Sequence, residues 1–214
     1  MKKTILLILF TMVVGLFGCT TPEETPTPTP TPTPQEPTPT ETEIDPIEQI
    51  FLDSSSMDNY TLTVLIFHQL DVYELTIKMT NNLVSLDMEG QIEYFQKDDE
   101  VCKHYIPTNT GYVVETIACE DQQTVTYRFF EAFQPAWFSE LDGKYYLNFE
   151  HYPMVSAFFE QTIHDAVVAN FELSIGAQYF EQFKFDILVD DLLYRLDMTF
   201  TDINDTVVVL PTEG

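Results

Sequence analysis

The chain has 214 residues, with 9 Lys+Arg against 35 Asp+Glu for a formal net charge of −26, and 44% of it is hydrophobic. That length amounts to one ordinary domain once an atypical N-terminus is set aside, and the apolar share is enough for a real core. The charge repels phosphate and anionic headgroups, which argues against nucleic acid as a partner and against membrane adhesion through a basic patch.

Lys2 and Lys3 precede an almost unbroken apolar run from Ile5 to Phe17. A membrane-spanning helix needs about 20 apolar residues, so this run is too short and fits the core of an export signal. The site after it reads Leu16-Phe17-Gly18-Cys19. This resembles the bacterial lipoprotein signal, or lipobox, with an apolar residue three before the cysteine and a small residue directly before it. The resemblance implies that residues 1–18 are a signal peptide removed before Cys19. The Cys19 thiol would then carry a diacylglycerol and hold the protein on the extracytoplasmic face of the cell membrane. One acyl chain binds only marginally at about 0.8 kcal/mol per buried CH₂, so durable anchoring needs two or three.

Residues 19–44 read as a stalk. From Thr20 to Glu43 the chain is nearly all Thr, Pro and Glu, with a Thr-Pro dipeptide repeated from Thr25 to Pro34. Alternating proline removes backbone donors, and nothing apolar is available to bury, so disorder biased to polyproline II is expected. At about 3.1 Å per residue the segment reaches roughly 70 Å when extended. Threonines beside prolines are also candidates for O-linked sugar.

The globular domain is expected over 45–214. Asp45 as N-cap, Pro46 at the first helical position and Glu48 three after the cap open a short helix with Ile47, Ile50 and Phe51 on one face. Ser54-Ser55-Ser56 closes it. Strand patterns follow: "NYTLTVLIF", "VYELTIKM", "LVSLDM" and "QIEYFQ", separated by Asn81-Asn82 and Gly90, with a polar turn at Lys97 to Asp99. "EVCKHYI" and "YVVETIAC" form a hairpin across "PTNTG", followed by "QTVTYRFF". Asp142-Gly143 turns between "AWFSEL" and "KYYLNF".

"PMVSAFFEQTIHDAV" has helical period. Met154, Phe158 and Thr162 form one row, and Val155, Phe159 and Ile163 form its neighbour. "FELSIG", "FKFDILV", "LLYRLDMTF" and "TVVVL" complete the series, with Asp190-Asp191 as a hairpin turn. About ten serially connected strands and two short helices predict an α+β fold, mostly antiparallel, with helices on one face of a curved sheet. This order resembles the half-open β-barrel of bacterial lipoprotein carriers and their lipid-anchored relatives. The resemblance rests on the early helix before "NYTLTV", the Trp137 region and the late "DGKYYL" hairpin. It implies an apolar cavity able to hold acyl chains, and it assigns no binding residue.

Cys102 and Cys119 are an even pair in an exported domain. A hairpin turning tightly around Thr110-Gly111 sets them opposite each other and permits a disulfide; a longer loop misaligns them and leaves buried thiols. His68, His104, His151 and His164 show no metal-ligand spacing. The acidic turns "KDDE", "DD" and "DINDT" lack the ligand pattern of a calcium loop. No nucleophile motif or phosphate-binding glycine loop is present, so no metal, cofactor or enzymatic activity is expected. Phe129, Phe130, Phe133, Trp137, Phe138, Phe158 and Phe159 are either ordinary core or the lining of a cavity for an apolar ligand. Two kinds of partner fit the whole: a hydrophobic small molecule held inside the barrel, or a cationic protein or envelope polymer met by the acidic exterior.

Overall fold

The computed structural model describes residues 44–98, 101–117, 129–160 and 163–211. The signal peptide, Cys19, the stalk and Cys119 lie outside them. Asp45 caps the first helix, α1 (Pro46–Ser55), by accepting a 2.8 Å hydrogen bond from the Ile47 N–H through its carboxylate. α1 ends within the Ser54-Ser55-Ser56 run, with Ser56 as its C-cap, and Ser54 is a core residue. Its hydroxyl is fully buried and accepts from the Phe180 N–H at 2.8 Å, which ties the helix to the sheet.

Eleven antiparallel strands follow among the described residues. β1 (Tyr60–His68), β2 (Asp71–Thr80), β3 (Leu83–Met88), β4 (Gln91–Asp98), β5 (Val101–Thr108) and β6 (Gly111–Ile117) form one meander. β7 (Phe138–Leu141), β8 (Lys144–Leu147), β9 (Val167–Ile175), β10 (Phe180–Val189) and β11 (Leu192–Thr201) form the other. The two meet where β1 pairs with β11, giving one sheet of order β6-β5-β4-β3-β2-β1-β11-β10-β9-β8-β7. The sheet is curved and unclosed, so the fold is an α+β half-open barrel. A second helix, α2 (Tyr152–Glu160), joins β8 to β9.

Side chains alternate along a strand, and the register therefore sorts them onto two faces. The concave face takes Tyr60, Leu62, Val64 and Ile66 of β1, Leu75, Ile77 and Met79 of β2, and Leu196, Met198 and Phe200 of β11. α1 lays Phe51 on this face, 4.9 Å edge-on to Phe180. α2 buries Val155 and Phe159, while Met154 is exposed. Of the two rows read from the sequence, the second is therefore the buried one. Two side-chain acceptors fix α2 to β9: Ser156 Oγ takes the Val168 N–H, and the Tyr152 hydroxyl takes the Phe171 N–H, both at 2.9 Å.

Several expectations need correction. Val167, read as the end of the second helix, opens β9. Ala136 and Trp137 of "AWFSEL" and Phe129 and Phe130 of "QTVTYRFF" lie in 3₁₀ turns rather than strands, and the rest of "QTVTYRFF" lies outside the described residues. Lys97 and Asp98 belong to β4 and pair with Cys102 and Val101, so no turn begins at 97. "TVVVL" does not join the sheet. Asn59 carboxamide and Thr61 hydroxyl bonds to Thr206 hold that segment instead. The β5–β6 turn is centred on Asn109-Thr110, because Thr108 pairs with Gly111, and the residue opposite Cys102 is consequently Ile117.

Candidate functional site

The aromatic residues singled out from the sequence separate into core and rim. Phe130, Phe133, Phe138 and Phe159 are buried; Trp137 and Phe158 are half-buried. The side chain of Phe129 lies outside the described residues. Phe133 meets Phe138, Phe171 and Phe183 edge-on at 5.4, 5.5 and 5.8 Å. Phe130 meets Phe180 and Phe200 in the same geometry at 6.1 and 5.4 Å. Tilted rings at these separations put the positive edge of one ring against the negative face of another. Most of the cluster is thus solid core. It pins the irregular stretch of 129–137 to the concave face through short 3₁₀ turns at Phe129–Ala132 and Pro135–Trp137.

That stretch packs against α1 only in part. A cleft of about 380 Å³ lies between them. Phe51, Leu52, Ser55 and Glu48 form its α1 side, and Phe133, Gln134, Pro135, Ala136 and Glu131 form the other. The floor is aromatic, being the outer surface of the buried Phe51 and Phe133 rings. Leu52 stands more than half exposed at the lip. Acids contribute the charged groups of the lining. The volume falls within the range of about 300–1,000 Å³ usual for small-molecule sites, and an apolar floor with few polar groups is their usual chemistry.

On the β4–β6 half of the concave face, register brings Glu93, Phe95, His104 and Glu115 together. His104 stacks on Phe95 with ring centroids 4.3 Å apart, and its Nε2 lies 2.8 Å from a Glu93 carboxylate oxygen. Both side chains are largely withdrawn from solvent. The other histidines have separate duties. His68 stacks on Tyr194 and faces the Leu193 carbonyl through Nδ1. His151 stacks on Trp137, and His164 is exposed beside Asp165. Burial pushes the Tyr194 phenol above its ordinary pKa, with Asp190 adding to the effect.

No group of three or more His, Cys, Asp or Glu side chains is placed to hold a metal among the described residues. "DINDT" forms a turn bolted to the start of β1, where the Asn204 N–H donates to the Asn59 carbonyl and the Thr206 hydroxyl donates to the Asp202 carbonyl.

Cys102 is fully buried and disulfide-bonded. Its proposed partner is Cys119, two residues beyond the register position opposite it and outside the described residues. A bridge closing a loop of this size should contribute about 2–4 kcal/mol. Reduction with dithiothreitol is therefore expected to lower the urea midpoint, and peptide mapping of the unreduced protein should recover Cys102 and Cys119 in one cross-linked fragment. An unchanged midpoint would remove the bridge as a stabiliser.

Sequence reading missed Leu52, Pro135 and Ala136 as cleft residues, since the cleft lies where two segments distant in the chain pack incompletely. It missed the Glu93–His104 pair because strand register was needed to bring them together. The chain matches no protein-family model and none of the curated proteins compared with it.

Proposed function

We propose that the protein is a lipid-anchored binding protein of the extracytoplasmic membrane face. It holds an apolar or amphiphilic small molecule non-catalytically in the cleft between α1 and residues 131–136. The observation that carries this reading is the cleft itself, an aromatic-floored recess of ligand size between α1 and residues 131–136. Support for the anchor comes from the Leu16-Phe17-Gly18-Cys19 signal. No helix among the described residues is long and apolar enough to cross a membrane, so they supply no helical anchor of their own.

The electrostatics narrow the ligand. Carboxylates of Glu48 and Glu131 line the cleft on a chain of net charge −26. A phosphate or carboxylate headgroup would meet repulsion here, whereas a neutral or cationic headgroup would not.

Ala136 is exposed at the cleft wall, so Ala136→Trp should fill the space without disturbing the core. A fluorescent long-chain amine is expected to bind the wild-type protein and to lose about tenfold or more in affinity in this variant, as loss of a central apolar contact typically does. The unfolding midpoint should not move. Equal binding by both proteins would overturn the assignment of the cleft.

A further inference from the structure

We propose that the outer face of the sheet, at the β1–β2 and β10–β11 hairpin tips, is a docking surface for a cationic amphipathic segment of a partner protein. Register carries the inference. Val72 lies opposite Phe67, Leu188 lies between Leu193 and Val167, and β1 pairs with β11, so these side chains occupy adjacent rows across five strands. Leu70, at the β1–β2 tip, is 99% exposed, and Val72 and Leu193 are each 56% exposed.

A single exposed leucine means nothing, but a contiguous set marks an interaction surface. The next row of the same face shows what a solvated outer surface looks like in this sheet. There Lys184 pairs with Asp197 at 3.7 Å, Gln182 donates to Asp197 at 2.6 Å, and Lys144 pairs with Glu172 at 2.6 Å. The apolar set is confined to the tips.

Charge selects the occupant. Asp71, Glu74, Asp190 and Asp191 are exposed around the apolar set. Among the described residues the one cation within it, Arg195, donates through Nε to the buried Asp186 carboxylate at 3.0 Å. That hydrogen bond raises the Arg195 pKa further and fixes its charge as a pair. A second copy of this acidic chain would bring like-charged rims together, and an anionic membrane would be repelled. A helix with leucines at i, i+3, i+4 and i+7 and lysines flanking them meets both the apolar rows and the carboxylates. The tips also lie a strand length, about 30 Å at roughly 3.3 Å per residue, from the end of β1 that α1 leads into. This surface is separate from the cleft, so either proposal can fail without the other.

The test uses the full chain with two synthetic probes, a short amphipathic leucine–lysine helix and its leucine–glutamate counterpart. Wild type should bind the lysine peptide, with affinity falling steeply as salt rises, and should ignore the glutamate peptide. The Leu70→Ser/Leu193→Ser variant should bind the lysine peptide about tenfold more weakly or worse, with an unchanged unfolding midpoint, while Ala136→Trp should bind it normally. Equal binding by wild type and the double variant would overturn the proposal. So would wild-type dimerisation that the double variant abolishes, since the surface would then serve self-association.

Discussion

Replacing Phe183 with alanine should destabilise the domain by about 3–5 kcal/mol, the cost of deleting a fully buried aromatic side chain that its neighbours cannot refill. The ring has no solvent exposure. It lies within 5.4–5.9 Å of Phe130, Phe133, Phe171, Phe180 and Phe200, measured between centroids. Those partners come from β9, β10, β11 and the 129–137 stretch. Collapse into the void would require the sheet and its cover to move together, so the void should largely persist. Against a typical total of about 5–15 kcal/mol, such a loss approaches unfolding at physiological temperature. Urea denaturation would measure it. A loss below about 1 kcal/mol would show that the aromatic cluster tolerates empty space, and that the interior is more open than its ring contacts indicate.

Cys19→Ala should move the protein from the membrane to the soluble fraction. The reasoning is an energy comparison. Two or three acyl chains at about 0.8 kcal/mol per buried CH₂ give an anchor that does not dissociate during fractionation. The described domain offers no membrane-spanning helix in its place. Its charge also disfavours adsorption to anionic headgroups. Cell fractionation followed by immunoblotting reads the outcome. Unchanged membrane retention in the variant would remove the lipobox assignment.

Much of the fold was legible locally. The hairpin turns were visible because left-handed backbone selects few residues: Asp142 and Gly143 have φ of 54° and 75°, and Asp190 and Asp191 have 49° and 62°. Alternation along "LLYRLDMTF" announced a strand with one buried face, and Tyr194, Leu196, Met198 and Phe200 are buried on it. The Asp45 cap and Pro46 located the start of α1. Non-local facts were hidden. Nothing in β1 or β11 alone says that they pair with each other, because both read as strands with two possible neighbours. The Ser54–Phe180 bond joins residues 126 apart, so nothing in the serine run announces it. "TVVVL" has strand composition and still leaves the ladder, since Asn59 and Thr61 satisfy Thr206 through side chains.

The candidate site was the least legible part. The aromatic wealth of the middle third was plain, but composition cannot divide rings between a packed core and a cleft wall. That division depends on how completely α1 packs against the 131–136 segment. The cysteine pairing was half legible. Chemistry and compartment pointed to a disulfide at Cys102, while the opposing residue depended on a turn placed one residue earlier than the Thr110-Gly111 reading, and that shift moves the register by two.

Native mass spectrometry of the full protein extracted from its own membranes tests the central claim most directly. A polypeptide beginning at Cys19 with covalent acyl mass, together with a non-covalently held apolar or amphiphilic molecule that Ala136→Trp protein lacks, is the predicted result. A free Cys19 thiol, a different N-terminus, or an acylated protein that carries no small molecule in either form would contradict it.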